Sequence, residues 1–453
     1  MLTTLQTLAA FIVALGILVT IHEFGHYWVA KKVGVKILRF SVGFGKPIWR
    51  TTRGPDQTEF VVAALPLGGY VKMLGDGGEE IAEQDRPRAF EEQSLLGRTL
   101  IVAAGPIANF LFAIFAYWLM YMVGVSGARP IIGSVDADSL AAEAGLKEGY
   151  EIVAVEDRQS PTWDNVFRES ISAILNSSSV NLTVKDLNGI SEQAVLDFSA
   201  ISVDDISESD FFTEIGIAPY RPHIPPRIGD VIAGEAAAEA GLKNGDLILT
   251  VDAKPVTSWT DWVELIRASP GRTLEVQIER HGENLTIALK PKQTTDNSEL
   301  VGRIGAQVSL EGVEEVPRGI ERYGPVEAIP VAFQQTGQMI TTTLKFLHKM
   351  VAGEASVKNL SGPISIAQYA GQSAKLGISR FLDFLALVSV SLGVLNLLPI
   401  PLLDGGHLLF YLVEFVIRRP VPESVRLWGQ QLGMVLLLGL MGLAVFNDVM
   451  RIL

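Results

Sequence analysis

The chain has no cysteine, few histidines and few charged residues. Its 453 residues include 6 His, and Asp, Glu, Lys and Arg together make up only 19% of them. Without cysteine there are no disulfides and no thiolate ligands, so any bound metal must be held by histidine and carboxylate. A basic excess is also missing, since the formal net charge is −13. That balance argues against a nucleic-acid partner, because phosphate binding needs a basic surface.

Apolar residues are abundant instead. Hydrophobic side chains reach 48% and the mean hydropathy is +0.30, a profile typical of a membrane protein with soluble parts. The length allows two or three domains. The N-terminus lacks the basic region that precedes a cleavable signal, so its apolar run predicts a retained membrane helix.

The most informative stretch is HEFGH at residues 22–26, which follows the uncharged run Leu8–Thr20. Two histidines four residues apart lie on one helical face and can reach one metal ion, and Glu23 is then placed as a general base for water. The alternative is a helix end where polar residues meet the lipid interface. Two histidines and a glutamate are costly in an apolar helix unless they are paired or liganded. We therefore predict a metal site at His22 and His26 within the membrane.

Four apolar segments predict transmembrane helices, at about residues 5–30, 98–125, 379–399 and 427–447. The basic residues that flank them mark the cytoplasmic side by the positive-inside rule; they are Lys31, Lys32, Arg418, Arg419 and Arg426. This topology places both termini outside, together with the long segment between spans two and three. The expected fold is a polytopic α-helical membrane protein with four transmembrane helices.

Residues 34–73 predict a membrane-associated β-hairpin region, because Val, Phe, Ile and Tyr, which favour strands, lie between Gly and Pro residues, which favour turns. The hairpin can dip into the bilayer beside the first span, or it can form a small cytoplasmic sheet. The sequence leaves both possibilities open. The candidate substrate contacts in this region are Gly43, Phe44, Gly45, Gly68, Gly69 and Tyr70.

An internal repeat occupies the soluble segment that follows. Residues Ala142–Gly149 (AEAGLKEG) recur as Ala238–Gly245 (AEAGLKNG), and Trp163 matches Trp259 at the same offset of 96 residues. Each copy predicts a strand, a short helix, a strand, a longer helix and further strands, and it resembles bacterial PDZ domains. The first copy departs from the PDZ pattern at Tyr150, where Asp is expected.

We therefore predict two periplasmic PDZ-like α+β domains, at residues 126–220 and 221–309. PDZ grooves bind an extended peptide as an added strand, although a copy can also act only as a spacer or gate. The candidate groove residues are Gly133, Ser134, Val135, Gly229, Asp230 and Val231.

Residues 310–377 connect these domains to the last two spans. Within this segment, Val331–Leu347 predicts a helix too polar to cross a membrane and suited to lie on its outer face. Residues 378–453 then complete the membrane part that residues 1–125 begin.

A second polar group follows the third span, in NLLPIPLLDGGH at residues 396–407. Its prolines, Pro399 and Pro401, break the helix, and a break inside a membrane is usually tolerated only beside a cavity. Both prolines are further candidate substrate contacts. Asp404 lies on the same membrane side as the two histidines and can serve as the third ligand of a catalytic metal.

Three alternatives remain for this segment. Asp404 can instead cap the helix that follows it, and His407 can replace it as the third ligand. Asn396 can donate a hydrogen bond to a developing oxyanion, or it can brace the broken backbone.

Taken together, HEFGH at 22–26 and the pattern N-x-x-P-x-P-x-x-D-G-G at 396–406 resemble the site-2 protease family of intramembrane zinc metalloproteases. The resemblance covers essentially the whole chain. It implies one Zn²⁺ per chain with His22, His26 and Asp404 as ligands, Glu23 as general base, and Asn396 as a substrate-positioning or oxyanion residue.

The resemblance also implies a biological setting. The substrates would be single-span membrane proteins already trimmed outside, such as an anti-sigma factor of the envelope stress response, and remnant signal peptides. The enzyme would lie in the bilayer of the bacterial inner membrane, with its active site towards the cytoplasm. The PDZ pair would bind peptide C-termini or restrict entry by bulky substrates.

Two other classes of protein are weaker explanations. A membrane-anchored PDZ scaffold or chaperone adaptor without catalysis explains the repeats, but not HExxH in a span together with Asp404. A metal transporter fits poorly with four spans and two large peptide-binding-like domains.

Overall fold

The computed structural model describes residues 2–75, 81–175, 179–198, 212–296, 299–353 and 362–452. It divides into two compact units. The first contains Met1–Val125 and Glu321–Leu453, and the second contains Ser126–Ile320. The segment with the repeat is thus inserted between the two parts of the first unit.

The N-terminal part of the first unit contains two long helices with a β-hairpin between them. Its elements are α1 (Leu2–Val33), β1 (Ile37–Arg53), β2 (Thr58–Met73), a 3-10 helix (Glu83–Arg88) and α2 (Leu95–Val123). Helix α2 begins where the Ser94 hydroxyl accepts a hydrogen bond from the Gly97 amide at 3.2 Å, an N-cap that pairs one otherwise free donor. The hairpin predicted for residues 34–73 is confirmed.

The hairpin is a distorted antiparallel pair with several register shifts. Residues Arg39–Val42 lie between Glu59–Val62 on one side and Gly69–Lys72 on the other. Residues 69–73 therefore form one edge of the sheet. Gly43 adopts a positive φ of +94° in the shifted region, a conformation that glycine takes at no steric cost.

The second unit contains both copies of the repeat. The segment begins with β3 (Val125–Ala128). The first copy has β4 (Ile132–Val135), α3 (Leu140–Glu143), β5 (Glu151–Val155), β6 (Arg158–Gln159), α4 (Trp163–Leu175), β7 (Ser179–Lys185), β8 (Ser191–Asp197) and β9 (Ile217–Pro219). The second has β10 (Ile228–Val231), α5 (Ala236–Glu239), β11 (Leu247–Val251), β12 (Lys254–Pro255), α6 (Trp259–Arg267), β13 (Leu274–Arg280), β14 (Glu283–Leu289), β15 (Lys292–Asp296), β16 (Glu299–Arg303) and β17 (Ala306–Val308). Strand β18 (Arg318–Glu321) follows and pairs with β3.

The two copies have matching sheets. The four-stranded sheet is β6-β5-β7-β8 in the first copy and β12-β11-β13-β14 in the second, and the pair β4-β9 corresponds to β10-β17. The cores correspond as well, because buried residues recur 96 positions apart, as in Ile132 and Ile228 or Leu146 and Leu242. The predicted order of elements in each copy is confirmed, whereas the boundary at residue 220 stays a prediction.

The C-terminal part of the first unit is helical. It contains α7 (Ala328–Val351), α8 (Pro363–Leu376), α9 (Ile378–Leu397), α10 (Asp404–Ile417) and α11 (Glu423–Ile452). Helix α7 includes the helix predicted at 331–347. Four helices of the described chain are long and apolar enough to cross a membrane: Thr4–Val33, Leu95–Val123, Ile378–Leu397 and Glu423–Met450. They match the predicted spans to within a few residues at most ends.

Helices α1, α2 and α9 surround the region that carries the polar motif. Ala14 and Leu18 of α1 pack against Phe384 and Leu385 of α9, so small and large side chains interlock between the two helices. Further along α1, a Cβ on Gly25 would lie 2.2 Å from the Ala104 carbonyl oxygen of α2. Only glycine allows the two backbones to approach this closely, as small residues do between membrane helices.

Candidate metal centre and active site

Three side chains from distant parts of the first unit meet at one point. His22 Nε2 and His26 Nε2 are 3.3 Å apart. Asp404 Oδ2 lies 3.3 Å from His22 Nε2 and 3.5 Å from His26 Nε2. Helix α1 supplies both imidazoles from one face because the histidines are four residues apart. The structure therefore brings together the three residues that the sequence nominated as ligands.

The geometry fits a zinc ion. Bonds of about 2.0–2.2 Å in a tetrahedron place neighbouring ligand atoms roughly 3.3–3.6 Å apart, and the three distances lie in this range. Asp404 Oδ2 is buried and has no hydrogen-bond partner within the described chain, which is costly for a carboxylate unless a cation binds it.

The start of α10 directs Asp404 to the histidines. Helix α9 ends at Leu397 and α10 begins at Asp404 itself, after Leu403 in the N-cap position. No side chain caps this helix. The alternative prediction that Asp404 is the N-cap is therefore wrong: Asp404 is the first helical residue, and its carboxylate contacts the imidazoles instead of the backbone.

Two glycines allow the break between α9 and α10 to fold tightly. A Cβ on Gly405 would lie 2.2 Å from the Leu398 carbonyl oxygen, and one on Gly406 would lie 2.5 Å from that of Ile400. The glycines after Asp404 are thus needed for close approach of the backbone, and this holds the carboxylate against α1.

Helix α2 contacts the far nitrogen of each imidazole. His26 Nδ1 is 2.8 Å from the Ile101 carbonyl oxygen, and His22 Nδ1 is 3.2 Å from the Asn109 amide. Between them, a Cβ on Gly105 would lie 2.3 Å from His26 Nε2. Both contacts run between helices, and no local feature of the sequence pairs Asn109 with His22.

Glu23 stands beside the three candidate ligands. It is buried, with 9% of its surface exposed, and it points to the same side as the cavity described below. The sheet edge packs against it closely, since a Cβ on Gly69 would lie 2.9 Å from Glu23 Cγ and 2.7 Å from the Ser41 carbonyl oxygen. Gly69 therefore allows the edge strand to lie next to Glu23.

A cavity of about 310 Å³ opens onto these groups. His22, Glu23, His26 and Asp404 line one wall, and Asn396 and His407 line it as well. His407 does not join the metal-binding cluster: within the part of the chain that the structure describes, the three ligand atoms within 4.8 Å of one another belong to His22, His26 and Asp404. The arrangement supports Asp404 over His407 as the third ligand.

The predicted substrate contacts of the hairpin only partly border this cavity. Gly69 and Tyr70 line it. Phe44 instead stacks on the Tyr70 ring, with centroids 6.1 Å apart. Its ring also lies against Gly68, where a Cβ would be 2.7 Å from Phe44 Cε2. The predicted residues that do not line the cavity are Gly43, Phe44, Gly45, Gly68, Pro399 and Pro401. The register shifts that place residues 69–73 at one edge of the sheet cannot be read from the sequence, and the role of all these residues as substrate contacts stays a prediction.

The groove residues predicted in the second repeat do not border the cavity found there, and their assignment to a peptide groove stays a prediction. A cavity of about 520 Å³ is bordered by α6 and by residues 301–307, including Arg303 and Gln307. Gly229, Asp230 and Val231 do not line it; they form β10, which pairs with β17. A Cβ on Gly229 would lie 2.6 Å from the Val308 carbonyl oxygen, so close strand pairing explains this glycine.

In the first repeat a glycine likewise allows two strands to pair closely. Gly133, Ser134 and Val135 belong to β4, which pairs with β9. A Cβ on Gly133 would lie 2.8 Å from the Pro219 carbonyl oxygen. Their assignment to a peptide groove stays a prediction.

Sequence reasoning missed the ion pair that ties α10 to α2. Arg98 Nη2 is 2.8 Å from Glu414 Oε1, and both side chains are more than four-fifths buried. The Arg98 guanidinium also lies over the Tyr411 ring, 5.1 Å from its centroid. Because Asp404 begins the same helix, this pair holds the helix of Asp404 against the helix that contacts both histidines. The partners are 316 positions apart in the sequence, so no local signal pairs them.

Comparisons with known proteins identify the family of the chain. The model of Peptidase family M50 matches residues 10–440. The "Regulator of sigma-E protease RseP" of Escherichia coli (strain K12) is 44% identical over 453 residues, which is 100% of both chains. The "Putative zinc metalloprotease" of Vibrio cholerae is 42% identical over 446 residues, 98% of each chain. A solved PDZ domain of the SdrC-like protein from Listeria monocytogenes is 21% identical and covers 21% of this chain and 96% of its own, but its TM-score of 0.17 supports no inference.

A histidine pair on an apolar helix, a buried glutamate and a distant aspartate form the arrangement expected of a metallopeptidase with helices long enough to cross a membrane. The chain belongs to peptidase family M50, and it is a zinc metalloprotease of the site-2, intramembrane-cleaving type. This family assignment, with full-length relatives named as proteases, excludes the non-catalytic scaffold as the main function.

Proposed function

We propose that His22, His26 and Asp404 bind one zinc ion per chain and that Glu23 is the general base for peptide hydrolysis. The observation that carries this proposal is the spacing of 3.3–3.5 Å among three ligand atoms beside a buried glutamate. The side chains come from α1 and α10, and each lines the same cavity.

The chemistry follows from these positions. When bound, zinc supplies Lewis acidity, which acidifies water and polarises a carbonyl. The Glu23 carboxylate takes the proton from the attacking water and gives it to the nitrogen of the leaving amine. Asn396, on the cavity wall, donates its amide N–H to the oxygen of the scissile carbonyl as negative charge develops there.

The edge of the hairpin holds the substrate in an extended form. A transmembrane helix hides its carbonyls in its own hydrogen bonds, so the scissile segment must unwind before water reaches it. Gly69, Tyr70, Val71 and Met73 lie on the sheet edge and line the cavity. We propose that the unwound segment adds to this edge as a further strand, with its backbone hydrogen bonds satisfied by β2.

The substrates proposed are single-span membrane proteins that have already been trimmed outside, including an anti-sigma factor, and remnant signal peptides. Relatives named as regulators of sigma-E support this choice.

The enzyme lies in the bacterial inner membrane with both termini and the repeats on the periplasmic side. Lys31 and Lys32, at the end of α1, support a cytoplasmic position for the active site. The hairpin's exposed Ile48 and Trp49 support its entry into the bilayer.

The two repeats act outside the membrane. The cavity between α6 and residues 301–307 suits an extended peptide C-terminus, which would add to strand β17 as ligands do in PDZ domains. A size filter for bulky substrates is the alternative role, and both uses are compatible with a protease that receives only trimmed chains.

The third ligand is tested by comparing two substitutions in the purified, detergent-solubilised protein. We expect Asp404→Ala to lose bound zinc, because a histidine pair alone leaves the ion without its third protein ligand. His407→Ala should retain zinc, since His407 lines the cavity outside the cluster. Metal content per chain, measured by atomic emission, separates the two. Retention of zinc by Asp404→Ala together with its loss from His407→Ala would reverse the assignment.

Strand addition is tested with Tyr70→Pro and Val71→Pro. Successive N–H groups of a strand point to opposite sides, so one of these prolines removes an N–H that faces the cavity and the other removes one that faces β1. We expect the cavity-facing change to lower cleavage of a reporter span about tenfold, a loss typical of one positioning contact, with zinc content unchanged. If both variants fold, bind zinc and cleave like the parent, the edge does not hold the substrate.

A further inference from the structure

The amide of Asn109 lies beside a metal ligand but leaves one of its own atoms unpaired. Asn109 is completely buried, and its Nδ2 is 3.2 Å from His22 Nδ1. Its Oδ1 is also buried, without a hydrogen-bond partner among the described residues. A buried acceptor with no donor is costly, so this contact requires an explanation.

The protonation of His22 supplies that explanation. A neutral imidazole that binds a metal through Nε2 must carry its proton on Nδ1. Nδ1–H is then a donor, and an amide N–H facing it would be a second donor with no acceptor between them. The two ends of a primary amide have nearly the same shape, so hydrogen bonding decides which end faces His22.

Exchanging the positions of Oδ1 and Nδ2 in the Asn109 amide removes both the unpaired acceptor and the pair of facing donors. Oδ1 then accepts the Nδ1–H of His22, and the unpaired atom gains the donor that it lacked. The second histidine shows the same arrangement, because His26 Nδ1 lies 2.8 Å from the Ile101 carbonyl oxygen, a group that can only accept. Ile101 and Asn109 are eight residues apart on α2, so one face of that helix offers each imidazole an acceptor.

We propose that Asn109 is a positioning residue whose Oδ1 accepts the Nδ1–H of His22 and so directs the Nε2 lone pair to the metal. This inference rests on the proposed ligation by His22. Ser389 of α9 lies at the same helix crossing, where its hydroxyl donates to the Asn109 backbone carbonyl at 2.8 Å and does not contact the Asn109 amide group. An amide also supplies the acceptor without adding another buried negative charge next to Glu23 and Asp404, which would be expensive inside a membrane.

Zinc affinity of the purified full-length protein tests the proposal, measured by competition with a chromophoric chelator. We expect Asn109→Leu, of similar size, and the smaller Asn109→Ala to bind zinc about 10–100-fold more weakly, the usual effect of removing the partner of a metal-binding histidine. Asn109→Asp should bind at least as tightly as the parent, because a carboxylate accepts the same Nδ1–H. The visible spectrum of the Co²⁺-loaded protein should change in the Leu and Ala variants and be preserved in the Asp variant.

Two control variants separate an error in the ligand assignment from an error in the role of Asn109. Ser389→Ala removes a hydrogen bond at the same helix crossing but leaves the Asn109 side chain in place, so it should bind zinc like the parent. His22→Ala should lose zinc, and retention there would overturn the ligand assignment itself. If His22→Ala loses zinc while Asn109→Leu and Asn109→Ala bind it as tightly as the parent, only the role of Asn109 is wrong. An Asn109→Asp variant that binds as weakly as the Leu variant would also overturn it.

Discussion

Replacing Glu23 by glutamine should stop catalysis and leave the metal in place. The substitution keeps the size of the side chain and removes its ability to accept a proton, while His22, His26 and Asp404 remain. General acid–base catalysis contributes about 10²–10⁴-fold to a rate, so we expect Glu23→Gln to cleave a reporter transmembrane segment at least about a hundredfold more slowly. Zinc content should stay at the parent value, because Glu23 is not among the ligand atoms that cluster within 4.8 Å.

Glu423→Gln is the matched control for this change. Glu423 begins α11 and is exposed, so the same chemical change there should alter neither cleavage nor zinc content. The assay is cleavage in proteoliposomes, with zinc measured on the same preparation. Cleavage by Glu23→Gln at the parent rate would remove the general base from the proposed mechanism, and loss of zinc would make Glu23 a ligand instead.

The sequence predicted the features that depend on local chemistry. Two histidines at a spacing of four require one helical face, and Pro399 and Pro401 require a break before Asp404. An offset of 96 residues predicts two copies with the same order of strands and helices, and the sheets of the second unit confirm it. These signals are strong because each follows from the periodicity or the covalent geometry of a few neighbouring residues.

The features that depend on tertiary packing were not predictable. Nothing near Arg98 in the sequence indicates Glu414 as its partner. The cavity beside α6 borders residues 301–307 and not residues 229–231, because the strand that faces a cavity depends on how the sheets close. The hairpin's edge was likewise hidden by shifts of register. The ion pair, the lining of the cavity and the hairpin edge all depend on long-range pairing, for which a single sequence gives no local signal.

Gly105 is a further position whose importance appears only in three dimensions. The sequence shows a small residue in a span, which indicates close helix packing and nothing more. In the structure, a Cβ at this position would lie 2.3 Å from His26 Nε2 and 2.8 Å from His22 Cε1. Contacts shorter than 3 Å cannot be accommodated without movement, and both neighbours are the imidazoles proposed to bind zinc. A single methyl group must therefore displace the metal site or separate α1 from α2.

We therefore expect Gly105→Ala to lower zinc affinity at least tenfold, by analogy with the loss of ligand orientation, and to destabilise the fold by about 1–3 kcal/mol through overpacking. Chelator competition measures the first effect and thermal unfolding in detergent the second. Gly16→Ala is the control, because a Cβ on Gly16 of α1 meets no atom within 4 Å and alanine favours a helix more than glycine does. If Gly105→Ala bound zinc as tightly as Gly16→Ala, the backbone of α2 would not set the position of the two imidazoles. Cleavage should fall with zinc occupancy, because the methyl group acts on the ligands and leaves Glu23 unchanged.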